Sequence, residues 1–231
     1  MLNDRQNQLF LHLIWEHVAT GLPVGSKLLA EKAGLDRSSA TIRNEFSVLE
    51  HEKLIHQPYT SAGRIPTEKG WRYYLDHLMK EKPVTEKEKK ALQKAISVHQ
   101  TSGNEGLKAM AKTLADLSDA AAVVAFSPHD VYYTGLSNLF NQPEFNEANL
   151  MRDMTAIIDH LDDVMQSLFG RVENGTHILV GGDNPFGENC AVVITKLKQG
   201  SDERLCGILG PMRMAYDANL GLINYARTLL A

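Results

Sequence analysis

The chain has 231 residues, 43% of them hydrophobic, and a formal net charge of -4. That length suits two ordinary globular domains or one large one, and the acidic balance argues against a protein that coats nucleic acid without specificity. No apolar run is long enough to cross a bilayer and the N-terminus lacks a signal-peptide pattern, so the expected location is the cytoplasm. Charge is uneven along the chain. Residues 1–80 hold ten Lys and Arg against nine Asp and Glu, a net of +1, which leaves -5 for the remainder. Cys190 and Cys206 have no metal-ligand spacing and read as reduced core residues.

The first helix is expected to start at Asn3, an N-cap with Gln6 three residues on, and to carry Phe10, Leu13, Ile14 and Val18 on one face until Gly21 and Pro23 end it. Ser26 reads as the cap of a short second helix with Leu28, Leu29 and Ala33, and Gly34 with Leu35 as the tight turn after it. Ser38 caps a third helix, on which Ile42, Phe46 and Leu49 recur at helical spacing and face a core. The outer face is then Ala40, Arg43, Asn44 and Ser47, flanked by Thr41. Arg forks onto guanine acceptors, Asn pairs with adenine, and Ala or Thr meets a thymine methyl, so these residue types suit the major groove. The Ser38 and Ser39 hydroxyls and the first-turn N–H groups suit a phosphate.

After the third helix, 54–59 reads as a strand, 60–63 as a turn containing Ser61 and Gly63, and 64–66 as a short return strand with Arg64 near the tip, aimed at a minor groove. Thr67 and Glu68 open a closing helix that packs through Trp71, Tyr74, Leu75 and Leu78 and leaves Lys69 and Arg72 for a phosphate backbone. Helix, turn, helix and hairpin in this order predict an N-terminal winged helix-turn-helix over 1–80.

The segments PVGSKLLAEKAGLDRSSATIRNEFSVLEHEKLI and HQPYTSAGRIPTEKGWRYY resemble the DNA-binding domain of the HrcA family of bacterial heat-inducible transcription repressors. Two departures stand out: the family usually has His at the position of Tyr59, and Gly at that of Lys53. Neither lies on the expected reading face.

Pro83 in a charged stretch marks a boundary, and Thr85 with Glu88 forms a capping box for a new helix. A second helix over 104–117 carries Leu107, Met110, Ala111 and Leu114 on one face. A buried strand follows over 120–126 and ends at Pro128. YYTGLSNLFNQPEFN, from Tyr132, resembles an HrcA segment that precedes a helix, here expected over 147–169 with Leu150, Met154, Ile157, Ile158, Leu161 and Met165 in the core and His160 at the surface. Short apolar runs at 177–180, 191–197 and 205–209 read as strands of an antiparallel sheet. Gly181, Gly182 and Asp183 read as a turn between strands, since no phosphate-loop pattern surrounds them. CGILGPMRMAYDANLGLINYARTLL resembles the family's closing turn and helix.

The resemblance implies an α+β chain whose residues 81–231 form a trimmed GAF-like regulatory and dimerisation domain. A block that the family carries between the equivalents of Pro128 and Tyr132, including an inserted dimerising subdomain, is absent here. The resemblance further implies a repressor of chaperone operons that binds double-stranded DNA at an inverted-repeat CIRCE-type operator as a homodimer, with a GroEL-type chaperonin as a partner. The alternative reading is a repressor that responds to a small molecule held in the second half. No nucleophile, base and orienting group can be assembled, since His129 with Asp130 is an isolated pair, so no enzyme, metal site, cofactor or membrane association is expected.

Overall fold

The computed structural model describes residues 2–32, 38–97, 104–146, 155–199 and 202–230. The chain divides into two compact units, Met1–Met79 and Lys80–Ala231. Together they make a mixed α+β protein with an antiparallel sheet.

In the first unit, α1 (Asp4–Thr20) begins at the expected capping box. Asn3 accepts the Gln6 N–H at 2.9 Å and the Gln6 side chain accepts the Asn3 N–H at 3.1 Å. Gly21, left-handed at φ 69°, ends the helix by donating to the His17 carbonyl. Helix α2 (Ser26–Glu31) starts one residue earlier than the cap reading implies: Gly25 is the N-cap, and Ser26 is already helical with its hydroxyl unused for capping. Ala33, expected in this helix, and the expected turn residues Gly34 and Leu35 lie outside the described residues. Helix α3 (Ser39–His51) starts where expected, with the Ser38 hydroxyl accepting the Thr41 N–H.

Leu9, Phe10, Leu13, Ile14, Leu29, Ile42 and Leu49 are almost fully buried. Each such side chain contributes roughly 1.5–3 kcal/mol on leaving water, which is what holds the three helices together.

Helix α3 ends in a Schellman arrangement: the Leu54 N–H reaches the Leu49 carbonyl and the Lys53 N–H the Glu50 carbonyl, both at 2.9 Å. That closure requires a left-handed residue at position 53, and Lys53 supplies it at φ 59°. A glycine, which the family resemblance leads one to expect here, would meet the same requirement without a Cβ.

Strands β1 (Ile55–His56) and β2 (Ile65–Pro66) pair antiparallel over two residues each, so the hairpin is shorter than its apolar pattern suggests. Its turn spans Tyr59 to Ala62, with Ser61 rather than a glycine in the left-handed conformation at φ 67°. Helix α4 (Glu68–Tyr73) is capped by Thr67 and runs into a π turn, Tyr74–Leu78, that ends it early. Trp71 and Tyr74 are buried, while Leu75 and Leu78 are only half-buried.

The second unit is a five-stranded antiparallel sheet of order β4-β3-β7-β6-β5, made of β3 (Ala121–Ser127), β4 (Asp130–Thr134), β5 (Gly175–Val180), β6 (Cys190–Gln199) and β7 (Asp202–Pro211). Helices α5 (Glu86–Ser97), α6 (Glu105–Ser118) and the closing helix α9 (Tyr216–Leu230) group together, α6 and α9 packing on the sheet. On the opposite face Val123, Val192, Ile194, Leu205 and Leu209 join a core with Leu139 of α7 (Leu136–Phe140), Phe145, and Met165 and Leu168 of α8 (Leu161–Arg171). The capping box at the start of α5 forms as expected, and the Thr85 hydroxyl and N–H hold the Glu88 carboxyl below its usual range.

The helix expected over 147–169 is not continuous: residues 155–159 are helical, a turn falls at His160, and α8 follows. Leu150 and Met154 lie outside the described residues. Gly181–Asp183 is a 3-10 turn between strands, as expected. Strands β3 and β4 meet through the Ser127 and Asp130 pair across a two-residue turn, Pro128 and His129, at the place where the resemblance puts the missing block.

Leu107 and Met110 are buried within this unit, so the inner face of the α5 and α6 pair is occupied by its own fold and is not available as a dimer surface. Cys190 and Cys206 are buried, and burial pushes both thiols up to about 12. Cys206 pairs in register with Thr195, five residues along β6 from Cys190, roughly 17 Å at strand rise and far beyond disulfide reach.

Replacing Lys53 by Gly removes the left-handed strain of a residue bearing a Cβ and is expected to raise stability by about 0.5–1 kcal/mol. Chemical denaturation of the full chain checks this. An unchanged or lowered midpoint would contradict the strained-cap assignment.

Candidate nucleic-acid interface

Because Ile42, Phe46 and Leu49 are buried, the helical period turns the other side of α3 outward. Ser38, Ala40, Arg43, Asn44 and Ser47 are exposed, with Ser39 and Thr41 half-buried beside them. The exposed side of α3 is the one its helical spacing predicts, and hydrogen bonds set the side chains on it. The Ser47 hydroxyl donates to the Arg43 carbonyl at 3.2 Å, which turns its hydrogen back into the helix and leaves an acceptor facing out. The Ser38 and Thr41 hydroxyls lie 3.0 Å apart. Arg43 Nε donates to Ser26 Oγ at 3.3 Å, tying the outer face of α3 to the first residue of α2.

The hairpin stands beside α3, and between them and the start of α2 lies a cleft of about 370 Å³ that Arg43, Ser47, Ser61 and Gly63 help to line. Two contacts fix the hairpin. Val24 and Arg64 exchange both backbone hydrogen bonds at 2.9 Å, and an added Cβ on Gly63 would lie 2.4 Å from the Val24 carbonyl carbon. Gly63 thus serves a close backbone crossing, not the turn. At the base, the Thr67 hydroxyl donates to the Lys53 carbonyl at 2.6 Å and accepts the Gly70 N–H at 3.0 Å.

The three cations expected near DNA around the hairpin, Arg64, Lys69 and Arg72, are all engaged within the unit. Arg64 is not at the tip: its guanidinium is ion-paired with Glu50 at 2.7 Å, and Nη1 lies within reach of the Ala62 and Gly63 carbonyls. Its side chain is only 21% exposed, so it acts as the strut of the hairpin. Lys69 donates to the Glu52 carbonyl at 2.8 Å, compensating the C-terminal end of α3 while remaining exposed. Arg72 pairs with Glu68 at 2.9 Å. The exposed tip is instead Tyr59 and Ser61, and Tyr59 is 66% exposed. Sequence reasoning missed Glu50 and Ser26, whose roles depend on partners 14 and 17 residues away.

In the second unit the polar residues of the two family-like segments hold the fold together. Asn138 Nδ2 donates to the Ala115 and Ala120 carbonyls, while Arg213 pairs with Glu144 and donates to Gln142 Oε1 at 2.9 Å. The cavity under α8 on the sheet is apolar and measures about 10 Å³, at the limit for a single water. A larger depression of about 700 Å³ lies at one end of the sheet, by Ser127, Asp130 and Glu203, where the Glu203 carboxylate is already paired with Lys196 at 2.8 Å. Among the described residues no group of three His, Cys, Asp or Glu side chains is arranged to hold a metal ion. None of the described helices is long and apolar enough to cross a membrane.

This mixed α+β architecture is shared with a crystal structure of a hypothetical protein, at a TM-score of 0.74 and 19% identity over 99% of this chain and 96% of that one. The family model described as HrcA protein C terminal domain matches residues 36–219, and the chain belongs to the HrcA family. It is 24% identical to the heat-inducible transcription repressor HrcA of Lysinibacillus sphaericus, covering 98% of this chain and 96% of the relative. It is 38% identical to that of Pelotomaculum thermopropionicum over 123 residues, 53% of this chain and 35% of the relative. The first alignment runs over 331 positions against a chain of 231, so at least 100 positions have no counterpart here.

Gly63→Ala is expected to force the hairpin away from Val24 and to lower stability by about 1–3 kcal/mol, the usual penalty of overpacking against a backbone that cannot yield. Urea titration of the full chain reads it. A variant as stable as the parent would show that the crossing is loose.

Proposed function

We propose that this chain is a DNA-binding transcriptional repressor of heat-shock genes, with residues 1–80 acting as a winged helix-turn-helix. The observation that carries the reading is the outward face of α3: Ala40, Arg43, Asn44 and Ser47 stand exposed opposite a buried Ile42, Phe46 and Leu49. Those four, with Thr41, carry the donors, acceptors and apolar surface that distinguish base pairs in a major groove. Ser38 and Ser39 approach the phosphates at the start of the helix, and Ser61 at the hairpin tip approaches the flanking groove. Gly63 and Arg64 support that tip from within the protein, and Lys69 and Arg72 lie where a backbone phosphate can compete for them.

That the relatives are heat-inducible transcription repressors supports the regulatory role. The family resemblance supports an inverted-repeat operator of the CIRCE type, a chaperonin of the GroEL type as partner, and action in the cytoplasm. One reading helix covers one half-site, so an inverted repeat calls for a homodimer. With the inserted block missing and the α5–α6 inner face buried, the dimer contact falls on a surface other than that face.

Residues 81–231 are the regulatory half, and the strand order with α6 and α9 on one face supports a GAF-like domain. A ligand-responsive repressor has less support, because the interior cavity on the opposite face has about 10 Å³ and a nearly all-apolar lining.

Footprinting on the DNA upstream of chaperone genes is expected to show protection of two symmetric half-sites. Arg43→Ala should lose about 1–3 kcal/mol of binding and relax base choice, whereas Lys69→Ala should weaken all sequences alike and reduce the salt slope by about one. Gel-shift titration in which Arg43→Ala leaves affinity and base choice intact would overturn the assignment of α3.

A further inference from the structure

We infer that Ser26 is a positioning residue for base recognition: its hydroxyl holds Arg43 so that the two terminal nitrogens of the guanidinium face a guanine. The inference rests on the reading of α3 as the recognition helix. Arg43 is exposed, and a long exposed side chain ordinarily samples many rotamers that must be given up on binding. Here its Nε is anchored to Ser26 Oγ at 3.3 Å, across 17 residues of sequence. Among the described residues Nη1 and Nη2 meet no hydrogen-bond or ion-pair partner, so the end-on fork that matches guanine O6 and N7 is left available.

The anchor itself is well supported. Ser26 opens a helix whose Leu29 is fully buried, and it follows Val24, which exchanges two backbone hydrogen bonds with Arg64. Ser26 is not needed to start that helix, because Gly25 is the N-cap and no side chain caps it. A Ser26 hydroxyl used for capping would be turned toward the N–H groups of its own first turn. Its place one residue inside the helix is what frees it.

The test uses the full chain and a duplex carrying the footprinted site, together with the three single-base-pair substitutions at each position. Ser26→Ala should reduce discrimination about three- to tenfold at one position, the same position that Arg43→Ala flattens, a fraction of what a full bidentate contact provides. Thermal midpoint and salt slope should not move, and Ser26→Thr, which keeps the hydroxyl, should restore discrimination. In the Arg43→Ala background, Ser26→Ala should add nothing.

A uniform loss across all sequences with a shallower salt slope would mean that Ser26 binds phosphate directly, and would overturn the inference. So would unchanged discrimination in Ser26→Ala when Arg43→Ala still flattens that position. If Arg43→Ala itself alters nothing, the reading-helix assignment fails and this inference fails with it.

Discussion

Burial of Ile42, Phe46 and Leu49 on one side of α3 is the constraint from which the rest of the first unit follows. These residues meet the apolar faces of α1 and α2, and their loss to water would forfeit roughly 1.5–3 kcal/mol each. Since the period of the helix is fixed, committing those three positions to the core commits Arg43, Asn44 and Ser47 to the outside. The protein thus specifies its reading surface by packing the reverse of it. The polar side chains are carried by a rigid element, which suits recognition that depends on placement within fractions of an ångström.

The end of α3 transmits the same rigidity to the hairpin. Its Schellman closure places Lys53 left-handed, the Lys53 carbonyl receives the Thr67 hydroxyl, and Thr67 in turn caps α4. Glu50, still on α3, holds Arg64 of the returning strand, and Arg64 bridges to Val24 before α2. A two-residue strand pair would be too short to hold its shape alone. It is held because α3, α4 and the α1–α2 connection each contact it.

Local periodicity and capping chemistry made α1, α3 and the antiparallel strands legible in the sequence, as with Asn3 and Gln6, Ser38, and Thr85 and Glu88. What was not legible depends on long-range or backbone events. Arg64 reads as a cation at a turn until Glu50 is brought beside it by the fold, and Gly63 reads as a turn glycine until Val24 crosses it. Ser26 has the right type for a cap, yet Gly25 takes that place and leaves the hydroxyl for Arg43. The outer face of α3 was legible because burial there follows a single helix. Arg64 and Lys69 beside it were not, because Glu50 and the Glu52 carbonyl that engage them lie 14 and 17 residues away, whereas the Arg72 pair with Glu68 is local. In the second unit, Leu107 and Met110 read as one apolar helix face without showing what covers it, and the fold buries that face within the unit.

The central claim, that the outer face of α3 lies in the DNA groove, is open to a direct measurement. Cys190 and Cys206 are buried with thiols raised to about 12, so a single surface cysteine can be labelled selectively. An iron chelate attached through His51→Cys on the full chain, an exposed position on the same stripe of α3 but outside the base contacts, generates radicals that cut DNA within their short reach. The account predicts two clusters of cleavage, one in each half-site, with the stagger of a major-groove source. Cleavage that is absent, or confined to sequence outside the protected half-sites, would contradict it.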